Sequence, residues 1–188
     1  MKLIAQIDYD CKCLNRYFEK LFDVLQEAVA ETRSAPISGT QDIDADELDI
    51  AYHGFDHYIK PDMVMNIYSL VDFWMNRICE YQKSKNSLSL GYKDIKGKND
   101  LHVYHKYLTK YAGLDFTLVE NSYQRLDDLR NVRNKIIHDG SHVPSNEEKE
   151  FSNINGISLF GSLIVIEDSF IWDALNHAKI YLYAAAKT

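Results

Sequence analysis

Four side chains near the end of one expected helix are of the types that hold anions and move protons. Arg130, Asn134 and His138 are spaced i, i+4, i+8. On a helix they form one polar column, with Asp127 close to it. Counting about 100° per residue from Leu126, the apolar residues Leu129, Val132, Ile136 and Ile137 fill an arc centred near Leu129, and Arg133 points about 20° from Leu126, inside that arc. Burying an unpaired guanidinium costs several kcal/mol, so Arg133 must be paired, face a pocket or lie at an interface. Two readings stay open from the residues alone. In one, the helix is an ordinary amphipathic one whose arginine meets a carboxylate and whose histidine caps the last carbonyls, where the helix dipole favours a cation. In the other, the guanidiniums hold an anion and the imidazole transfers a proton.

The elements that must position these residues follow from periodicity. The segment NRYFEKLFDVLQEAVAETR places Tyr17, Phe18, Leu21, Phe22, Leu25, Ala28 and Val29 three and four apart, which predicts a helix over roughly residues 12 to 33. Residues 34 to 60, with Pro36, Gly39 and the run DIDADELD, read as an acidic connection with at most a short helix. Asp42, Asp44 and Asp46 have the odd-position spacing of a calcium loop, but Glu47 stands where that loop needs glycine and His53 where it needs a bidentate glutamate. Pro61 suits the first turn of a long apolar helix, MVMNIYSLVDFWMNRICEYQKSK. A helix from Asp100 to Tyr111 and a longer one from about Phe116 to His138 follow, the latter stopped by Asp139 and Gly140. The runs ISLF and LIVIE flank Gly161 and Ser162, the spacing of a two-residue hairpin, and Ser169 is placed to cap a last helix. The expectation is one all-α domain over residues 1–188: an up-and-down bundle of four to five helices with a small hairpin before the last. Residues 1–60 form its N-terminal helix and acidic connection, and 61–188 its motif-bearing core.

Composition narrows the classes. With 46% hydrophobic and 12% aromatic residues, thirteen of them tyrosine, the chain can bury a core. No long apolar stretch suits a membrane helix, and charge comes too early in MKLIAQIDYDCKC for a signal peptide, so the expected location is cytoplasmic. Cys11, Cys13 and Cys79 read as reduced thiols. His53 with His57, and His102 with His105, have spacings that put two imidazoles on one helical face, yet no matching ligands stand nearby, so surface or capping histidines are the simpler reading and no metal is expected. A net charge of −7 argues against generic nucleic-acid binding. The stretch from Arg77 to His138 nevertheless holds twelve Lys and Arg against seven Asp and Glu, which allows one basic face on an acidic protein.

In RNKIIH, Arg133, Asn134 and His138 match the arginine–polar–x–x–x–histidine motif of the HEPN superfamily (higher eukaryotes and prokaryotes nucleotide-binding). The setting is similar too: the motif ends a long late helix, preceded by LDDLRNV and followed by a Gly-bearing loop and a final helix. The resemblance extends loosely over residues 60–188, with the motif as its specific part. It implies a helical bundle and a metal-independent endoribonuclease, of the toxin or phage-defence kind, that needs no cofactor and acts as a homodimer with a composite site. Two copies of His138 would then divide the roles of base and acid, Arg133 from each chain would bracket the phosphate, and Asn134 would orient the scissile group or the imidazole. Arg130 and Asp127 would support them or contact RNA, and His142 is an alternative acid. A branch of the superfamily that is neutralised by AMP transfer carries a tyrosine two residues after the motif histidine; Gly140 stands there, so that neutralisation is not expected, although a cognate antitoxin protein remains a possible partner. Some members of the superfamily bind a nucleotide, RNA or protein without cutting. A purely structural helical interaction protein is the third class, favoured by the acidity and the many tyrosines.

Overall fold

The computed structural model describes residues 2 to 34 and 55 to 187. Residues 35 to 54 of the acidic connection, with Asp42, Asp44, Asp46 and His53, lie outside them, while its last residues, 55 to 60, are helical. The described residues form helices α1 (Lys2–Ser34), α2 (Phe55–Lys85), α3 (Asp100–Lys110), α4 (Glu120–Asp139), the one-turn α5 (Glu148–Ser152) and α6 (Asp168–Ala186). Strands β1 (Ile157–Phe160) and β2 (Leu163–Ile166) precede α6. This is the expected helical bundle with a hairpin before its last helix.

Helix α6 is the hub, packing against α1, α2 and α4, while α2 also packs on α3 and α4. Its buried stripe includes Ile171, Leu175, Ala178 and Leu182, and small Ala178 and Ala185 leave room for neighbouring helices. One continuous core joins these residues to Phe18 of α1, Ile67, Trp74 and Ile78 of α2, and Leu126, Leu129 and Val132 of α4. Ile136 is partly buried, but Ile137, at the extreme edge of the predicted arc and in the last turn of α4, is 41% exposed.

Three expectations are corrected. Helix α1 begins about ten residues earlier than expected, because Ile7 and Cys11 continue its buried stripe and the charges between them are used at the surface. Asp8 pairs with Lys12 at 2.6 Å and Lys179 at 3.1 Å and accepts from the Tyr183 hydroxyl, contacts that hold its carboxyl well below the usual range. Pro61 sits inside α2 rather than in its first turn. The carbonyl it leaves without a donor belongs to His57, which is exposed and can be hydrated, so the interruption is tolerated. Ser169 lies within the first turn of α6 and donates to Glu167 Oε2 at 3.3 Å instead of capping.

The hairpin has the expected register, Phe160 opposite Leu163, with Gly161 at φ +60° in the turn. Its far edge is tied to the end of α4: Val143 donates to Ser162 at 2.8 Å, and Ile164 to Ser141 at 2.9 Å. The stop of α4 is made by Gly140 at φ +57°, with its N–H and that of Ser141 both bonded to the Lys135 carbonyl. Nothing lies within 4 Å of where a Cβ at Gly140 would be, so the cost of Gly140→Ala is conformational alone. Urea denaturation should show a loss of about 1 kcal/mol; no loss would mean that the left-handed geometry is not what ends α4.

Candidate functional site

Helices α2 and α4 and the start of α3 enclose a cleft of about 620 Å³, within the range that takes a small-molecule or nucleotide-sized ligand. From α4 come Arg130, Arg133 and Asn134; from α2 come Tyr68, Ser69, Asp72, Phe73, Asn76 and Arg77; Asn99 and Asp100 complete the lining. The lining thus holds three arginines and two aspartates, one positive charge in excess on an acidic chain.

The two arginines of α4 differ in what holds them. Arg130 Nε donates to Asp127 Oδ1 at 2.9 Å and its Nη2 to Asn131 Oδ1 at 2.6 Å, while Lys98 approaches the other oxygen of Asp127 at 3.6 Å. Among the described residues Arg133 meets no carboxylate. Its Nη1 donates to Asn134 Oδ1 at 3.0 Å, its guanidinium carbon lies 5.4 Å from the Tyr68 ring centroid, and its buried Nε has no acceptor among the described residues. Of the choices the sequence leaves for Arg133, the structure gives the pocket. Arg77 is likewise held by a ring, 4.6 Å from the Phe73 centroid, and forms no ion pair among the described residues.

The facing wall is stiffened by tyrosines. Tyr104 donates to Asp72 Oδ1 at 2.9 Å, and Asn76 donates to the Tyr92 hydroxyl. Burial, and then the neighbouring Asp72 carboxylate, push the Tyr104 hydroxyl up; burial pushes that of Tyr68 up to about 12. Both therefore stay neutral donors at ordinary pH. Asn99 is committed to capping α3, accepting from the His102 N–H at 2.8 Å. None of this wall was singled out from the sequence. A signal was present: Tyr68, Asp72 and Asn76 stand at i, i+4, i+8 in the most apolar helix, a polar column facing that of α4.

The two histidines of the sequence reading lie elsewhere. His138 is exposed in the last turn of α4, outside the cleft lining, and makes no hydrogen bond among the described residues, so it does not cap the terminal carbonyls. It stands one turn beyond Asn134, which is in the lining. His142 is exposed, its Nδ1 bonded to the Ser162 hydroxyl at 2.9 Å on the hairpin turn. Asp127 serves as the carboxylate partner of Arg130.

His105 is not a surface or capping residue. It packs among Phe116, Tyr123 and Tyr181 and bonds the Tyr181 hydroxyl at 2.8 Å; burial lowers its basicity. Ser122, His177 and Asp173 form a chain with the outline of a nucleophilic triad, Ser122 Oγ to His177 Nδ1 at 2.9 Å and His177 Nε2 to Asp173 at 3.4 Å. Ser122 is only 3% exposed, so no substrate reaches its oxygen, and the chain instead ties α4 to α6. All three cysteines are free thiols, Cys13 exposed and the others buried. Among the described residues no group of three or more His, Cys, Asp or Glu is arranged to hold a metal ion, and no helix is long and apolar enough to cross a membrane.

Comparison with protein-family models, with curated proteins and with solved structures finds no match to the chain.

The contrast between the arginines is measurable. Removing Arg130 leaves the half-buried Asp127 without its main partner and should cost about 1 to 3 kcal/mol. Removing Arg133 forfeits a cation–π contact but relieves a buried donor without an acceptor, effects of similar size and opposite sign. Thermal denaturation should find Arg130→Ala clearly destabilised and Arg133→Ala close to wild type; the reverse order would make Arg133 a structural residue.

Proposed function

We propose that the chain is a metal-independent endoribonuclease of the HEPN type, acting in the cytoplasm as a toxin or phage-defence protein, with Arg133, Asn134 and His138 as its catalytic residues. The observation that carries this is Arg133: a guanidinium on a cleft wall, with no carboxylate partner among the described residues and with Nη hydrogens beyond the one given to Asn134, is placed to receive an anion. Asn134 beside it and the exposed His138 one turn further supply the polar donor and the proton carrier that phosphodiester transfer requires.

The reaction on this reading is attack of the ribose 2′-oxygen on phosphorus. One imidazole takes the 2′-OH proton, the P–O5′ bond breaks, and a protonated imidazole gives its proton to the departing O5′. A single His138 cannot be neutral and protonated in the same event, so the second comes from another copy of the chain, with the composite site at the interface. The Arg133 guanidiniums hold the non-bridging oxygens as charge builds on them. Arg130, with Nε and Nη2 already bonded to Asp127 and Asn131, lends charge at the cleft. The products are a 2′,3′-cyclic phosphate and a 5′-hydroxyl.

One observation favours a second reading. His138 lies outside the cleft lining, as it would in a non-cutting module that binds a nucleotide, RNA or protein partner, an antitoxin among them. Purified protein with single-stranded RNA in EDTA distinguishes the two. The proposal expects cleavage with cyclic-phosphate ends and dimers at micromolar concentration. His138→Ala should slow it about a hundredfold or more with the helical CD signal unchanged, and Arg133→Ala should cost more activity than Arg130→Ala. Cleavage that survives His138→Ala, or full activity from a monomer, contradicts it; binding without cleavage favours the second reading.

A further inference from the structure

Phe73 is an apolar side chain that the core does not use. Its neighbour Trp74 takes the interior position, buried and donating its indole N–H to Asp10 Oδ2 at 3.0 Å across the seam between α2 and α1. One residue further round α2, Phe73 is turned outward and 47% exposed. It lines the arginine cleft and is also a wall of two further grooves along α1. Each of those grooves holds an exposed tyrosine of α1. Tyr17, counted in the apolar stripe by periodicity, is 47% exposed in one, and Tyr9 is 68% exposed in the other. The two tyrosines stand eight residues apart, about 12 Å along α1.

We infer that Phe73, with Tyr9 and Tyr17 beyond it, is the platform on which unpaired bases of a single-stranded RNA stack while its phosphates lie in the arginine cleft. The inference rests on the reading of that cleft as a phosphodiester site. Two features single out a nucleic-acid strand. The aromatic surface is continuous with the arginine-bearing cleft through Phe73 itself. The Arg77 guanidinium lies over the Phe73 ring, 4.6 Å from its centroid, so a cation for a phosphate adjoins a ring for a base. Between Phe73 and Tyr17 the groove is lined by Leu14 and Leu70 as well as Asp10, Cys13, Asn66 and Ser69. Cations and rings in close succession are what a single strand, with its alternating phosphates and bases, can match. Because every base has a face to stack, this platform selects for unpaired strand and not for sequence.

The test is fluorescence anisotropy with two 5′-labelled strands of equal length, a ten-nucleotide oligoadenylate RNA and a ribose–phosphate strand without bases, on a His138→Ala background so that neither is cut. The expected result is that the oligoadenylate binds about tenfold or more tightly than the abasic strand. Phe73→Ala should erase this difference, and Phe73→Trp should restore it; Arg133→Ala should weaken both strands. Phe73→Ala that weakens both strands equally, or neither, overturns the platform and leaves the cleft reading standing so long as Arg133→Ala still weakens both. If the background protein binds neither strand, the cleft reading fails and the platform with it. If Phe73→Ala converts a dimer to a monomer in light scattering with oligoadenylate binding intact, the ring is a contact between copies and the inference is overturned.

Discussion

A guanidinium held against packed helices without a counter-ion is the constraint on which the candidate site depends. Arg133 lies on the same helical face as Leu126 and Leu129, so α4 cannot bury its apolar stripe without carrying the guanidinium inward. The described residues around it supply an amide oxygen and an aromatic ring, but no carboxylate and no acceptor for Nε. Stability alone would favour a carboxylate at that place, as Asp127 provides one turn away for Arg130. An arginine left so is typical of sites where binding is favoured over stability.

The rest of the bundle makes that arrangement persist. The chain Ser122, His177 and Asp173 fixes α4 to α6, and Arg125 adds a second tie by reaching Asp173 at 3.3 Å. On the opposite wall, Tyr104 and Tyr92 grip Asp72 and Asn76, so α2 presents a rigid polar face. At the far end, Gly140 turns the chain and Lys135 bridges Asp139 and Glu147, at 2.9 and 2.8 Å, which holds the last turn of α4 and with it the exposed His138. The cleft thus combines stiff walls, one ion-paired arginine, two arginines without an ion pair among the described residues and one imidazole a turn beyond its lining.

Much of this was legible in the sequence, and the gaps have physical causes. The hairpin turn at Gly161 and Ser162 and the stop at Gly140 are positions where backbone geometry restricts residue choice, so they read directly. Arg133 was legible as an anomaly, because a cation within an apolar arc demands an explanation. The early start of α1 was hidden by Asp8 and Asp10, whose partners Tyr183, Lys179 and Trp74 are remote in sequence. Likewise the α2 wall of the cleft becomes a site only when α4 lies opposite, and pairing of that kind is set by tertiary packing. His105 passed for a surface residue because the three rings that enclose it come from α4, α6 and the approach to α4.

The central claim is that Arg133 is kept open for a phosphate. Its most direct measure is the side-chain Nε–Hε resonance of Arg133 in ¹⁵N-labelled protein, assigned by its loss in Arg133→Lys and followed as a single-stranded RNA is added to the His138→Ala protein. When the Nη groups of Arg133 take a phosphate, the adjoining Nε–Hε resonance should shift with the guanidinium, while the already bonded Arg130 Nε–Hε changes little. An Arg133 signal that stays in place while RNA binds elsewhere would contradict the account.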